Sequence, residues 1–283
     1  GKYQGADGSL KNLPYWTFVD WAGNMGWGPK GSDGSAAIYD LQLLLAYQWA
    51  AQLEAAMGLP VFAAMYNQKA AQLKETIQRK YWDSVKMLYA DTRDKNGFSQ
   101  HTNSLAILSG MVNDADMPAL CKRMLTDTTL TQCTVYFKYY LHQALVKAGL
   151  GNDYLNWLGI WRENIKMGLT TWAEDSSLET VRSDCHAWGS SPNIEFFRVV
   201  LGIDSDAPGF RKIRIQPHLG TMTEASGEMP HPQGKVAVAY KRDKKGWKMT
   251  CMLPPNTTGN LVWNGATYPL KGGENLISIP QAR

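Results

Sequence analysis

A chain of 283 residues with 44% hydrophobic side chains carries enough apolar material for one large domain or two smaller ones, and too much for a disordered chain. Its net charge is only +4 and its Lys and Arg are scattered, which argues against a nucleic-acid partner. No apolar run approaches the roughly 18 residues of a membrane helix, and the N-terminal residues show no charged-then-apolar leader pattern.

Residues 1–35, with "KNLPYWTFVDWAGNMGWGPKGSDGS", are rich in Gly, Pro, Asp and Trp and read as irregular loop. A helix pattern follows over 36–58, closed by Gly58, and Pro60 opens a second helix that runs to about Trp82. Residues 83–99 read as a connector. Further helices are expected over 100–111, 115–125, 136–149, 153–168 and 193–202, several of them ended by Gly. Helices thus come in pairs joined by short turns, with longer aromatic-rich loops between pairs. After about Ile203 the pattern changes to short alternating segments between Gly, Pro and Asn turns: "FRKIRIQP", "KVAVAYKRD", "WKMTCMLP", "GNLVWNG", "TYPL" and "NLISIP". The fold expected is mainly α plus β, with helical pairs over 1–203 and an antiparallel β-sandwich over 204–283.

The composition is informative in its aromatics, with 11 Trp and 13 Tyr against 7 Phe. Indoles and phenols offer an apolar face and a polar edge, which suits a carbohydrate ligand as well as an ordinary core. Three clusters stand out. In "GLTTWAEDSSLETVRSDCHAWGSS", residues 168–191, Glu174 lies just past a helix end beside Trp172, and His186 and Trp188 follow on the same loop. A carboxylate so placed can act as a base on water, with His186 and Trp188 offering a hydrogen bond and a stacking face; equally, Glu174 can cap the next segment and His186 can be structural. In "PYWTFVDWAGNMGW", Asp20 beside Trp21 suits hydroxyl recognition with stacking, or an Asx turn in a packed loop. In "FSQHTNS", His101 points from a helix start, where Ser99 also fits as the N-cap. The four Cys lack CxxC spacing, so neither a zinc site nor a disulfide framework is indicated, and Cys185 has no activating context. No cofactor or metal is expected.

"GLTTWAE" resembles the Gly-x-Thr-Thr-x-Trp-Glu segment of the α-L-rhamnosidases of glycoside hydrolase family 78. "HAWGSSPNIEFFRVVLGI" with "PGFRKIRIQPHLG" resembles their passage from barrel to C-terminal sandwich, and "FVDWAGN" and "SQHTNSLAILSG" resemble segments upstream. Trp172 stands one place earlier than the family's Trp-Glu adjacency, while Glu174 keeps its distance from Gly168.

The resemblance implies an (α/α)6 barrel hydrolysing α-L-rhamnosides with inversion. Glu174 falls on the family's water-activating base, His186 on a histidine that contacts the sugar, and Trp21 on an aromatic lining the same subsite, with Asp20 beside it as a hydroxyl ligand. The family's general acid lies in a carboxylate-rich motif before the Asp-Trp segment, and no such motif precedes Asp20 here. The expectation is therefore a C-terminal part with an incomplete barrel, inactive by itself, whose unpartnered helix faces favour self-association. Two other readings stand beside it. One is a non-catalytic carbohydrate-binding fragment. The other is a different enzyme on the same toroid, such as an α-L-fucosidase or polysaccharide lyase. The compartment stays open, the resemblance being compatible with a periplasmic or secreted enzyme.

Overall fold

A computed structural model describes residues 2–177 and 183–281. The chain is mixed helix and sheet and separates into two compact units, residues 1–148 with 173–183, and residues 149–172 with 184–283. The last helices before the sheet group with it by contact. The reason is a set of bonds within the second unit: Tyr240 Oη donates to Leu201 O at 2.7 Å, His218 N–H donates to Val199 O at 3.1 Å, and Gly220 N–H donates to Asn152 Oδ1 at 3.2 Å.

In the first unit, α1 (Ala37–Ala56) and α2 (Pro60–Tyr81) form the first hairpin. Gly58 ends α1 with φ +76, and Leu59 N–H reaches back to Glu54 O at 2.9 Å, a left-handed C-terminal closure that satisfies an orphan carbonyl. Pro60 then opens α2, where its missing N–H costs nothing. Ile38, Leu41 and Leu44 of α1 and Leu73, Ile77 and Tyr81 of α2 share the buried seam, at the three-to-four-residue spacing of one helix face.

The expected connector holds a small hairpin, β1 (Trp82–Asp83) with β2 (Leu88–Tyr89). Next come α3 (Gln100–Leu108), α4 (Met117–Thr126) and α5 (Lys138–Leu145). Every residue of α3 from Gln100 to Ile107 is buried, because α1, α4 and α5 pack around it.

In the second unit the expected helix over 153–168 is broken into a 3-10 stretch, Gly151–Trp157, and α6 (Gly159–Lys166), with Leu158 between them. The helix expected over 193–202 begins as α7 (Ser191–Glu195) and widens into a π turn, Phe196–Val200. Six strands follow: β3 (Ile203–Ser205), β4 (Lys212–Ile215), β5 (Glu224–His231), β6 (Gly234–Asp243), β7 (Gly246–Trp263) and β8 (Ala266–Pro280).

They hydrogen-bond into one sheet of order β3-β4-β7-β6-β5, with β8 also on β7. Two features differ from an antiparallel sandwich of short strands. The β4–β7 pair is parallel. And "WKMTCMLP" and "GNLVWNG" are one strand, because β8 pairs with β7 on both sides of an irregularity between Leu253 and Thr258. That irregularity re-aims β7, so its first half lies beside β6 and its second half beside β4. Val236, Val238, Tyr240, Met249, Cys251 and Leu253 alternate inward and form the core of this unit with Ile213, Ile215 and Leu261.

Candidate active site

The loop before α1 is organised around Asp20, whose carboxylate is fully buried. It accepts from His101 Nε2 at 2.7 Å, from Thr134 N–H at 2.8 Å, from Trp21 N–H at 2.9 Å and from the Thr134 hydroxyl. A buried carboxylate is tolerated when several donors replace its lost hydration. His101 is held at the first turn of α3 by the cap Ser99, whose Oγ accepts from Thr102 N–H at 3.1 Å and donates to Asp91 at 2.5 Å. Burial raises the Asp91 carboxyl above the usual carboxylate range, against the pull of the Ser99 and Thr102 hydroxyls.

Asp20 and His101 are therefore brought together, although neither side chain presents accessible surface. What they hold in place is aromatic. Trp21 lies 4.8 Å from Phe18 and 6.1 Å from Trp16 between ring centroids, and Trp27 is 82% exposed at the edge of the group. Trp16 Nε1 donates to Gly26 O at 2.8 Å, which fixes its indole on the loop. Phe18 stacks at 6.3 Å on Tyr136, and His101 lies 4.6 Å from Phe137. Phe18, Tyr136, Phe137, Tyr139 and Tyr140 line a cleft of ≈ 410 Å³, within the size range of small-molecule sites. Burial and the neighbouring Tyr140 push the Tyr136 phenol up to about 12, so it stays a neutral donor.

Sequence reasoning missed Thr134 and this tyrosine-rich wall. The run Tyr136-Phe137-Lys138-Tyr139-Tyr140 read only as the start of a helix, although its density of phenols was the available signal.

Glu174 belongs to the same unit as Asp20, Trp21 and His101. It is 4% exposed, and its N–H donates to Ser183 O at 2.9 Å, closing the loop on itself. Residues 178–182 of this segment lie outside the described residues. Trp172, His186 and Trp188 belong to the second unit. There His186 N–H donates to Trp172 O at 2.9 Å, and the His186 and Trp188 rings lie 4.4 Å apart. Gly189 N–H donates to His186 O at 3.0 Å and Gly189 O accepts from Trp161 Nε1 at 2.7 Å, so α6 anchors the turn that carries the pair. Among the described residues no group of three His, Cys, Asp or Glu could hold a metal ion, and no helix is long and apolar enough to cross a membrane.

Residues 202–277 match the bacterial α-L-rhamnosidase C-terminal domain. An α-L-rhamnosidase of Streptomyces avermitilis is 32% identical over 71 residues, which are 25% of this chain and 7% of that protein. Among solved structures, a family 78 rhamnosidase of Bacillus sp. GL1 has a TM-score of 0.74 at 25% identity, over 85% of this chain and 26% of its own. An α-L-rhamnosidase of Aspergillus terreus has a TM-score of 0.81 at 17% identity, over 99% of this chain and 35% of its own. A Streptomyces avermitilis α-L-rhamnosidase complexed with L-rhamnose has a TM-score of 0.75 at 18% identity, over 98% of this chain and 29% of its own. The chain thus spans about a quarter to a third of the length of these structures. In its C-terminal domain and in its fold, the chain corresponds to a C-terminal portion of the α-L-rhamnosidases of glycoside hydrolase family 78.

Proposed function

We propose that the chain serves an α-L-rhamnosidase-like glycoside hydrolase that releases terminal rhamnose with inversion, its helices forming part of an (α/α)6 barrel and its strands a C-terminal sandwich domain. The observation that carries the reading is Glu174, a buried carboxylate at the end of Gly-Leu-Thr-Thr-Trp-Ala-Glu in a chain with this fold. Glu174 activates water, which attacks the anomeric carbon as the glycosidic bond breaks. A second carboxyl, roughly 6.5–9.5 Å away in an inverting enzyme, protonates the departing oxygen.

Trp21 supplies a stacking face for the sugar. Asp20 and His101, buried as they are, act by holding the Trp21 backbone. By the resemblance His186 falls on the family's sugar-contacting histidine, with Trp172 and Trp188 beside it in the second unit. Neither Asp20 nor Asp33 suits the proton donor. Asp20 already accepts four hydrogen bonds. Asp33 pairs with Lys80 at 2.9 Å, and its carboxyl is held well below the usual range: burial opposes this, but hydrogen bonds from Lys80 and Ser35 outweigh it. The resemblance assigns the acid to a carboxylate-rich motif before the Asp-Trp segment, which this sequence does not contain, so residues 1–283 alone should cleave at most aryl rhamnosides with very good leaving groups.

The test is rhamnose release by the protein that carries this chain, from an aryl α-L-rhamnoside and from a rhamnosyl disaccharide. Glu174→Gln should lower kcat about a hundredfold or more on both, with an unchanged circular dichroism spectrum. The first-formed rhamnose should carry the inverted anomer by NMR. Near-normal turnover in Glu174→Gln would sink the assignment. Rhamnose binding without any turnover would instead favour a non-catalytic carbohydrate-binding role.

A further inference from the structure

The second unit carries a cavity of ≈ 350 Å³ that contains none of the residues discussed as the active site. Its floor includes Trp247, at the start of β7, and Trp263, at its end. Their rings lie 5.2 Å apart at 61°, half-buried, with the sheet core packed beneath them. The β7–β8 turn at Asn264 and Gly265, with φ +49 and +81, gives the cavity a tight rim.

The walls are polar and already held in place. Asn152 spends Oδ1 on Gly220 N–H at 3.2 Å, which leaves its amide N–H groups for a ligand. The His218 backbone is pinned by Val199 O, and its ring lies so close to residue 151 that a Cβ there would come within 2.5 Å of it. Only glycine at 151 lets the imidazole form this wall. Burial, with the nearby Arg214, keeps His218 below its ordinary pKa, so near neutral pH the ring offers one donor and one acceptor. The Arg242 guanidinium and the Gln216 amide, also in the lining, have no hydrogen-bond partner among the described residues.

The lining selects a chemistry. Among the described residues it contains no Asp or Glu, so a cation has no counter-charge, and one Arg alone is too little for a polyphosphate. Half-buried indole surface surrounded by amides, an imidazole and a guanidinium suits a molecule with an apolar face and a hydroxylated rim. We propose that this cavity is a saccharide-binding site that takes one neutral sugar residue against Trp247 and Trp263, with Arg242, Gln216, His218 and Asn152 bonding its hydroxyls. Lacking a carboxylate, the site holds sugar without cleaving it. The inference does not depend on the catalytic role of Glu174.

The experiment uses the whole chain, labelled with nitrogen-15, titrated with L-rhamnose, D-galactose and cellobiose, and with inorganic phosphate as a control. At least one sugar should shift the indole N–H signals of Trp247 and Trp263, and phosphate should not. Trp263→Ala should weaken that sugar about tenfold or more, since a stacked aromatic face is lost. Arg242→Ala, an exposed and unpaired position, should weaken it several-fold without touching the fold, so it carries the test if Trp263→Ala unfolds. Trp21→Ala should leave this binding unchanged. Shifts with phosphate alone, no shift with any sugar, or binding lost in Trp21→Ala but intact in Arg242→Ala would each overturn the proposal.

Discussion

At the scale of single residues, the first unit places several carboxylates deep and surrounds each with hydrogen-bond donors. Asp20 with His101 and Thr134, Asp91 with Ser99 and Thr102, and Asp40 with Tyr81 and Leu10 are three such arrangements. His142 on α5 shows the consequence for pH. Burial, with Lys138 nearby, pushes its pKa down to about 3, so the folded protein holds it neutral. Between about 6.5 and 3 the unfolded chain binds the proton and the folded one does not. Stability from this group is therefore complete above pH 6.5 and is lost as pH falls, at roughly 1.4 kcal/mol per pH unit. Asp40 and Asp91, raised by burial, act in the opposite sense, their contribution being lost as pH rises above the ordinary carboxylate range. Comparing wild type with His142→Leu isolates the histidine: urea unfolding at pH 4.5, 5.5 and 6.5 should show a flatter pH dependence in the variant. Parallel curves would mean that His142 is protonated in the folded state.

At the scale of elements, the passage from α7 into the sheet depends on one close approach. Gly202 has φ +75, and a Cβ there would lie 2.1 Å from the Gln216 carbonyl carbon. Gln216 N–H in turn donates to Gly202 O at 2.9 Å, next to the Ile203–Ile215 register of β3 and β4. An alanine at 202 meets both left-handed strain and a backbone clash that no side-chain rotation relieves. Gly202→Ala should cost about 3 kcal/mol or more, read as a drop in thermal midpoint, whereas Gly58→Ala, with open space around it, should cost only its conformational strain of about 1 kcal/mol. Equal losses at the two sites would show that the strands part to accommodate the methyl group.

At the scale of the whole chain, apolar surface is left open on the first hairpin. Trp49, Leu53 and Met57 of α1 and its C-cap are 63%, 64% and 69% exposed, and Val61 and Phe62 of α2 are exposed as well. Three large apolar side chains four residues apart form one stripe, and contiguous patches of this kind are uncommon on monomers. The isolated chain is therefore expected to self-associate through this hairpin. Sedimentation velocity should show a mass that rises with concentration, and Leu53→Glu should return it to monomer. A clean monomer at high concentration would refute this.

The sequence by itself determined what local rules encode. The α1–α2 hairpin follows from helical spacing with Gly58 and Pro60, the start of α3 from Ser99, and the β7–β8 turn from Asn264-Gly265, because each depends on neighbours within a few residues. The segments "GLTTWAE" and "HAWGS" could likewise be read directly, since a linear motif is local by definition. Tertiary structure alone decided which distant groups meet. Asp20 finds His101 across 81 residues and Thr134 across 114, and nothing near Asp20 encodes either partner. Pro254-Pro255-Asn256 read as a turn, yet β7 continues through it, because pairing to β8 on both sides outweighs the local preference of those residues. The edge strand β5, with small residues and a proline, has almost no hydrophobic alternation, and it is a strand because β6 offers it a free edge. Hydrophobic periodicity reports which face of an element is buried. It does not report what covers that face, and that choice is made by packing over the whole unit.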